Sequence, residues 1–315
     1  MRIALAYLAK PKYGGWPTYT AHLYEGLSDS GQEPILFKPG NRTESQQRSF
    51  GRSILYRNMS RDDLISIARQ APFLITAADK THRTLASELH EAGAWLVIHD
   101  PTELKEPLVS AIRQERVIVI RESMLAHLPG ATYLPHPYRR LKFPGKQERK
   151  SAVSVSRVDF DKHTEMIIEA NVNLREPIEI YGFLNTIYAH FKLEKVDADW
   201  RRNYRGTFAA DDLWAAARIA LHYRYVVDMS VIKGDGGGTQ YTFLEAADAG
   251  CGLILNSGWQ PKGMLADYAH TVDNSSELAE ACSTNIPTRT KQAEALLQAH
   301  NATTISGHYA DLLSR

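Results

Sequence analysis

The sequence predicts an α/β chain made of two successive Rossmann-like halves, each a parallel sheet covered by helices. Short apolar runs alternate with amphipathic stretches from the N-terminus onward, beginning with RIALAYL at Arg2–Leu8. The same alternation restarts with AVSVS at 152–156. The length of 315 residues suits two cores of about 150 residues each.

In the first half, Arg2–Leu8 reads as a buried strand. It is followed by AKPKYGGWPTYTAHLYEGL, where Gly14 and Gly15 break the chain and Thr18 or Thr20 caps a helix running to Leu27. Residues 33–38 form a second strand, and 41–52 a polar loop whose Arg42, Arg48 and Arg52 lie on a solvated face. A helix at 62–70, a strand at 73–76, a helix at 81–92 and a strand at 95–99 continue the alternation. His99 and Asp100 then stand where a parallel sheet presents its ligands, at the carboxyl end of a strand. Histidine exchanges protons near neutral pH and an aspartate orients it or accepts a proton, so this pair is the catalytic candidate. The alternative is that Asp100 only caps a helix at 102–110, for which D-P-T-E is a good start. A strand at 116–121, a short helix at 122–128 and an extended stretch at 131–135 lead to HPYRR, with His136, Tyr138, Arg139 and Arg140.

Arg139, Arg140, Lys142, Lys146, Arg149 and Lys150 face one acid, Glu148, in a segment punctuated by Pro137, Pro144 and Gly145. It reads either as a solvated connection between halves or as a contact for a phosphate backbone.

In the second half, the strand at 152–156 meets RVDFDKH and a helix through Glu169. The strand at 178–181 meets Gly182. NYRGTF at 203–208 is a further strand, followed by a helix capped by Asp211 or Asp212 and running through Leu213, Trp214 and Ala217. A strand at 219–223 precedes the central loop, in which Arg224, Asp228 and Lys233 are candidate polar contacts. The loop KGDGGGTQ carries Gly236, Gly237, Gly238, Thr239 and Gln240, and Tyr241 opens the helix that bears Glu245. Glycines there let backbone amides approach an anion at a helix N-terminus. A carboxylate among Phe243 and Leu244 needs hydrogen-bond donors, which sugar hydroxyls supply. The alternative is a glycine-rich connection without a ligand. Residues 252–257 form the next strand, and 275–281, 288–300 and 309–313 are helical.

Composition narrows the classes. Lys plus Arg number 37 against 36 Asp plus Glu, so net charge announces no nucleic-acid partner. Two cysteines, Cys251 and Cys282, form no disulfide framework, which suits a reducing cytoplasm. No apolar run reaches ~18 residues and the N-terminus has no signal-peptide pattern, so a cytoplasmic protein without a membrane partner is expected. No histidine or cysteine spacing suggests a metal, and the D-x-D strings at 159–161 and 197–199 carry no expectation of metal-dependent chemistry.

The stretch GGTQYTFLE, 237–245, resembles the donor-binding E-G-x-G-L-x-x-L-E pattern of glycosyltransferases with the GT-B fold. Glu245 matches its last glutamate, Gly237 stands at the first glutamate position and Gln240 at the second glycine position. QYTFLE also resembles the E-Y-T-x-L-E stretch of phage DNA α-glucosyltransferases. SRVDFDK resembles the start of the GT-B donor domain, S-R-x-D-x-x-K.

The resemblance implies the GT-B fold, with two Rossmann-like domains whose parallel sheets face across a cleft. It implies an acceptor domain at 1–145, a donor domain at 146–285 and C-terminal helices at 286–315 that pack back on the first. Gly14, Gly15, Arg157, Lys162, Gly182, Gly237, Gly238, Thr239, Gln240, Tyr241 and Glu245 would then hold a nucleoside-diphosphate sugar, expected to be a UDP-sugar. Arg157 and Lys162 would bind its diphosphate without a metal, and no cofactor is expected. His99 and Asp100 would act beside the acceptor.

The acceptor expected on this likeness is a 5-hydroxymethylpyrimidine in double-stranded DNA, contacted by Trp16, His136, Tyr138, Arg139 and Arg140. A glycan or small-molecule acceptor, and a scaffold that binds nucleotide sugars without transfer, are the competing readings.

Overall fold

The computed structural model describes residues 1–9, 15–40, 48–50 (backbone), 54–141, 149–208, 214–231, 237–284 and 286–315. Gly14, Lys142, Lys146, Asp211, Asp212, Lys233 and Gly236 lie outside the described residues. The chain divides into two compact units: unit 1 is Met1–Arg139 with His300–Arg315, and unit 2 is Arg140–Ala299.

Unit 1 is built on an eight-stranded sheet of β1 (Arg2–Leu8), β2 (Glu33–Pro39), β3 (Arg48–Phe50), β4 (Ile54–Met59), β5 (Phe73–Ala78), β6 (Trp95–Ile98), β7 (Val117–Val119) and β8 (Thr132–Tyr133). Their order is β3-β4-β2-β1-β5-β6-β7-β8, and every pairing is parallel except that of β3 with β4. β1 and β5 sit centrally, which is why they read as unbroken apolar runs: every residue of β5 is buried. The order turns back between β1 and β5, so the carboxyl ends of these neighbouring strands open a crevice.

The last helix, Ala302–Leu313, completes unit 1 against the helix Gly15–Asp29. A Cβ at Gly26 would come within 2.7 Å of the Ala302 carbonyl oxygen, so only glycine permits this approach. The buried Tyr19 and Tyr309 hydroxyls are hydrogen-bonded across the same contact.

Unit 2 carries a five-stranded, wholly parallel sheet of β9 (Lys150–Val155), β10 (Glu179–Tyr181), β11 (Tyr223–Asp228), β12 (Gly252–Asn256) and β13 (His270–Val272), in the order β10-β9-β11-β12-β13. Its core joins Val153's neighbours Ala152 and Ile180 to Tyr225, Val227 and Ile254 and to the helices at Thr164–Val172 and Ser275–Ser283. The order turns back between β9 and β11.

Several expected elements differ. The first helix starts at Gly15, so Thr18 and Thr20 lie inside it; the buried Thr20 hydroxyl bonds Thr76 Oγ1 at 2.9 Å instead of capping. The supposed loop at 41–52 contributes β3, and β4 follows it with alternating burial at 54–57. The expected helix at 102–110 is split into a turn at Pro101–Glu103 and a short helix at Leu108–Ala111, with Pro107 immediately before the latter. Residues 203–208 make one isolated bridge, Ile180 to Tyr204, in place of a strand. The strand expected at 219–223 begins at Tyr223, because AAARIA is helical at Ala215–Ala220, as its alanines favour. The 286–315 block divides: the helix Thr290–Ala299 belongs to unit 2 and Ala302–Leu313 to unit 1.

Candidate functional site

In unit 2 the loops after β9, β10, β11 and β12 gather at the carboxyl edge of the sheet. Lys162 ends the turn Phe160–Lys162 and reaches under the edge, donating from Nζ to Ser230 Oγ at 2.7 Å, with Asp228 Oδ2 at 3.5 Å. Asp228 is the last residue of β11 and its side chain is 1% exposed. It also accepts from the Ser230 amide and hydroxyl. A buried carboxylate held by two such donors and a lysine fixes the ammonium in place rather than leaving it to solvent.

Arg157 is half-exposed and tied to its own loop: its guanidinium bonds Asp159 Oδ2 at 3.0 Å and Asp161 Oδ2 at 2.9 Å. Ion pairing of this kind at a helix terminus competes with a diphosphate role for Arg157, and it gives the D-x-D string at 159–161 a part in holding arginine.

Gly182 closes β10 with φ +148°, and a Cβ there would lie 1.7 Å from the Ser156 carbonyl oxygen. The residue is glycine because the loop after β9 crosses its backbone.

The glycine loop meets the loop after β12. Gly237 has φ +65°, and a Cβ on it would stand 2.3 Å from the Gln260 carbonyl oxygen and 2.6 Å from that of Trp259. A glutamate cannot occupy this position without moving both carbonyls, which gives the departure from the family pattern a physical cause. The Gly238 carbonyl accepts from Trp259 Nε1 at 3.1 Å. Trp259, absent from the sequence reading, is buried edge-on against Phe243.

Thr239 and Gln240 are half-buried, and Gln240 precedes the helix Tyr241–Asp248 without a side-chain cap. Glu245 is 4% exposed on this helix, and among the described residues no group donates to its carboxylate. Burial, reinforced by Asp248, pushes it up to about 8. The far end of the helix is closed by Arg149, whose guanidinium donates to the Ala249 and Gly250 carbonyls at 2.5 and 2.7 Å.

The carboxyl edge of unit 1 has different chemistry. His99, just past β6, is buried and bonds the Thr76 carbonyl oxygen through Nε2 at 2.8 Å, which places the proton on Nε2. Burial, with Arg121 assisting, lowers its pKa to about 4, so the ring is neutral and Nδ1 is left as an acceptor. Asp100 caps the turn Pro101–Glu103, its Oδ1 accepting from the Thr102 amide at 2.8 Å and from the Thr102 hydroxyl. The capping reading thus describes its contacts.

Glu103, which the sequence reading used only as part of a cap signal, is the hub of this edge. It accepts from Trp16 Nε1 at 2.9 Å and from the His99 amide at 3.1 Å. Burial, with Asp100 adding to it, raises its carboxyl to about 8. Arg121, buried nearby, is lowered by desolvation and supported by Asp100 and Glu103. Only its charge, at the end of the strand expected at 116–121, hinted at it.

His136 is buried, and desolvation together with His300, Arg121, His99 and His22 holds it well below the ordinary histidine range. The structure therefore brings Trp16, His99, Asp100 and His136 into one neighbourhood. It does not do so for Tyr138, which is 1% exposed and packs on His22.

Arg139 pairs with Glu25 and Asp29, Arg140 with Asp248 and Glu294, and Lys150 with Glu179. With Arg149 capping a helix, all four described cations of the basic segment have protein partners. Gly15 begins its helix in open space.

No protein-family model matches the chain, and no curated protein matches its sequence. Solved structures do. An alpha-glucosyltransferase in complex with UDP-glucose and DNA containing an abasic site superposes with a TM-score of 0.71 at 11% identity, covering 100% of both chains. Anabaena HepE in complex with UDP-glucose gives 0.69 at 13%, covering 99% of each. AviGT4, a glycosyltransferase involved in avilamycin A biosynthesis, gives 0.65 at 13%, covering 99% of this chain and 97% of that one. The chain has the fold of the GT-B glycosyltransferases along its full length.

Proposed function

We propose that this protein is a glycosyltransferase that moves a sugar from a nucleoside-diphosphate sugar, taken to be a UDP-sugar, to a hydroxyl acceptor. The observation that carries the reading is Lys162, a cation anchored on Asp228 and Ser230 at the carboxyl edge of a parallel sheet, beside the loops that resemble a donor site. In the reaction the acceptor hydroxyl oxygen bonds to the anomeric carbon, the bond from that carbon to the β-phosphate oxygen breaks, and the nucleoside diphosphate departs, taking up the proton that the hydroxyl loses. A fixed ammonium stabilises the charge that grows on the leaving group. Glu245, without a donor among the described residues, is suited to accept from sugar hydroxyls. The neutral His99 ring is suited to orient the acceptor hydroxyl through Nδ1.

For the acceptor we infer a 5-hydroxymethylpyrimidine in DNA. Support comes from QYTFLE and from full-length likeness to alpha-glucosyltransferase structures, one in complex with UDP and a 13-mer DNA containing an HMU base, at a TM-score of 0.71 and 12% identity. The described cations of the basic segment do not add to it, since each is partnered within its own unit.

The test is release of nucleoside diphosphate from UDP-, GDP- and dTDP-sugars, with and without DNA carrying 5-hydroxymethylcytosine or 5-hydroxymethyluracil. Release stimulated by one modified DNA and abolished by Glu245→Ala supports both parts. Donor hydrolysis without stimulation by DNA overturns the acceptor; no turnover and no donor binding overturns the enzyme.

A further inference from the structure

In parallel α/β sheets the carboxyl edge carries the ligands and the amino edge is ordinarily structural. Unit 1 departs from this. A groove of about 510 Å³ runs across the amino ends of β5, β6, β7 and β8, lined by the first residues of three of these strands, Phe73, Trp95 and Thr132, and by Arg116, which precedes the fourth. That volume lies within the range of small-molecule sites, about 300–1,000 Å³. Arg69, from the last turn of the helix Arg61–Gln70, and Arg315 supply two more guanidinium groups.

Among the described residues, some arginines of unit 1 are paired and others, including Arg57, Arg83 and Arg113, are not. Arg61 is held by Glu88 and Arg139 by Glu25 and Asp29. Arg69, Arg116 and Arg315 make no ion pair or side-chain hydrogen bond with any described residue, and Glu115 is the single acid in the lining. Three guanidinium groups against one acid leave the groove with an excess of positive charge. Guanidinium forks match phosphate oxygens in paired hydrogen bonds. Gly93, in the same lining, has φ +120°, a conformation that favours glycine. The half-buried indole of Trp95 adds a flat apolar wall.

We propose that this groove binds the phosphate group of a small anionic ligand, at a site on the opposite edge of the sheet from His99 and Glu103. Arg69 and Arg116 hold the phosphate oxygens, and Trp95 packs on the remainder.

Indole N–H NMR of the full chain tests this with inorganic pyrophosphate as probe. The chain has five tryptophans, and Trp95→Phe identifies the Trp95 signal. The expected result is a saturable shift of that signal, its midpoint raised about tenfold or more in Arg69→Gln/Arg116→Gln, the loss of a charge-assisted contact. A Trp95 signal that pyrophosphate leaves unmoved, that moves equally in the double variant, or that moves only with duplex DNA overturns the proposal. Trp259 reports on the donor loop in the same spectra. Its response in the double variant shows an intact fold, and its silence in the wild type counts against the donor reading while leaving the groove standing.

Discussion

Unit 2 holds a buried ion pair at the carboxyl edge of its sheet, whereas at that of unit 1 burial favours the neutral forms of its histidines and of Glu103. Lys162 and Asp228 are a fixed ion pair in unit 2, with Arg157 tethered by two aspartates beside them. In unit 1, burial favours neutral His99, His136 and His22, and a protonated Glu103. Fixed cations suit a charged leaving group, whereas neutral hydrogen-bonding groups suit a hydroxyl acceptor. The same strand-loop grammar therefore produces two kinds of edge, and the difference lies in what the loops bury.

The backbone beneath those edges gives the largest expected effect. Gly182→Ala places a Cβ on the Ser156 carbonyl at an unfavourable φ, so unit 2 should lose about 3 kcal/mol, read as a lowered urea midpoint. Gly15→Ala in unit 1 meets open space at a helix start and should be neutral or stabilise by about 0.4–1 kcal/mol. Equal losses in both would mean that the contrast does not reside in the loops after the strands.

The fixed cation comes next. Lys162→Ala should reduce transfer about a hundredfold, the scale of removing one electrostatic stabiliser. It also leaves Asp228 buried without its cation, so stability should fall as well. Lys162→Arg separates the two, restoring charge at a shifted position. Arg157→Ala, whose side chain is half-exposed, should cost transfer less and stability little. Equal effects of the two substitutions on transfer would show that burial of the lysine confers nothing.

Titration separates the buried acids from the buried histidine by sign. Glu245 and Glu103 hold a proton up to about 8, whereas the unfolded chain releases it near 4.5, so stability falls as pH rises from about 4.5 to about 8. His99 refuses a proton until about 4, whereas the unfolded chain accepts one near 6.5, so stability falls as pH drops from about 6.5 to about 4. Glu245→Gln should flatten part of the alkaline slope and leave the acid slope; His99→Gln should do the reverse. Urea midpoints between pH 4 and 9 check both.

Much of this was legible in the sequence because parallel strands declare themselves: β1, β5, β9 and β12 are mainly small or apolar runs, buried along nearly their whole length and flanked by glycines or helices. Lys162, Gly182 and Glu245 also stood at motif positions. What stayed hidden was long-range pairing. Nothing local says that Glu103 serves Trp16, 87 residues away, or that Gly237 excludes a side chain because residues 259 and 260 pass over it. A charged run reads as basic whether or not its partners lie elsewhere in sequence, which is why the segment from Arg139 to Lys150 resembled a phosphate contact.

That segment yields the smallest expected effect and the most direct test of its role. Arg139 shares its guanidinium between Glu25 and Asp29, both in its own unit, and its side chain is 46% exposed. Pairs of this kind contribute about 0.2–1 kcal/mol, so Arg139→Ala should shift the urea midpoint slightly and no more. Because the cation is already satisfied, its removal should leave the dependence of transfer on salt unchanged even with DNA as acceptor. Were Arg139 a phosphate contact, its loss would instead reduce the slope of log affinity against log salt by about 0.9. Measuring that slope for wild type and Arg139→Ala on one modified duplex decides whether the cation is spent on the fold or on the substrate.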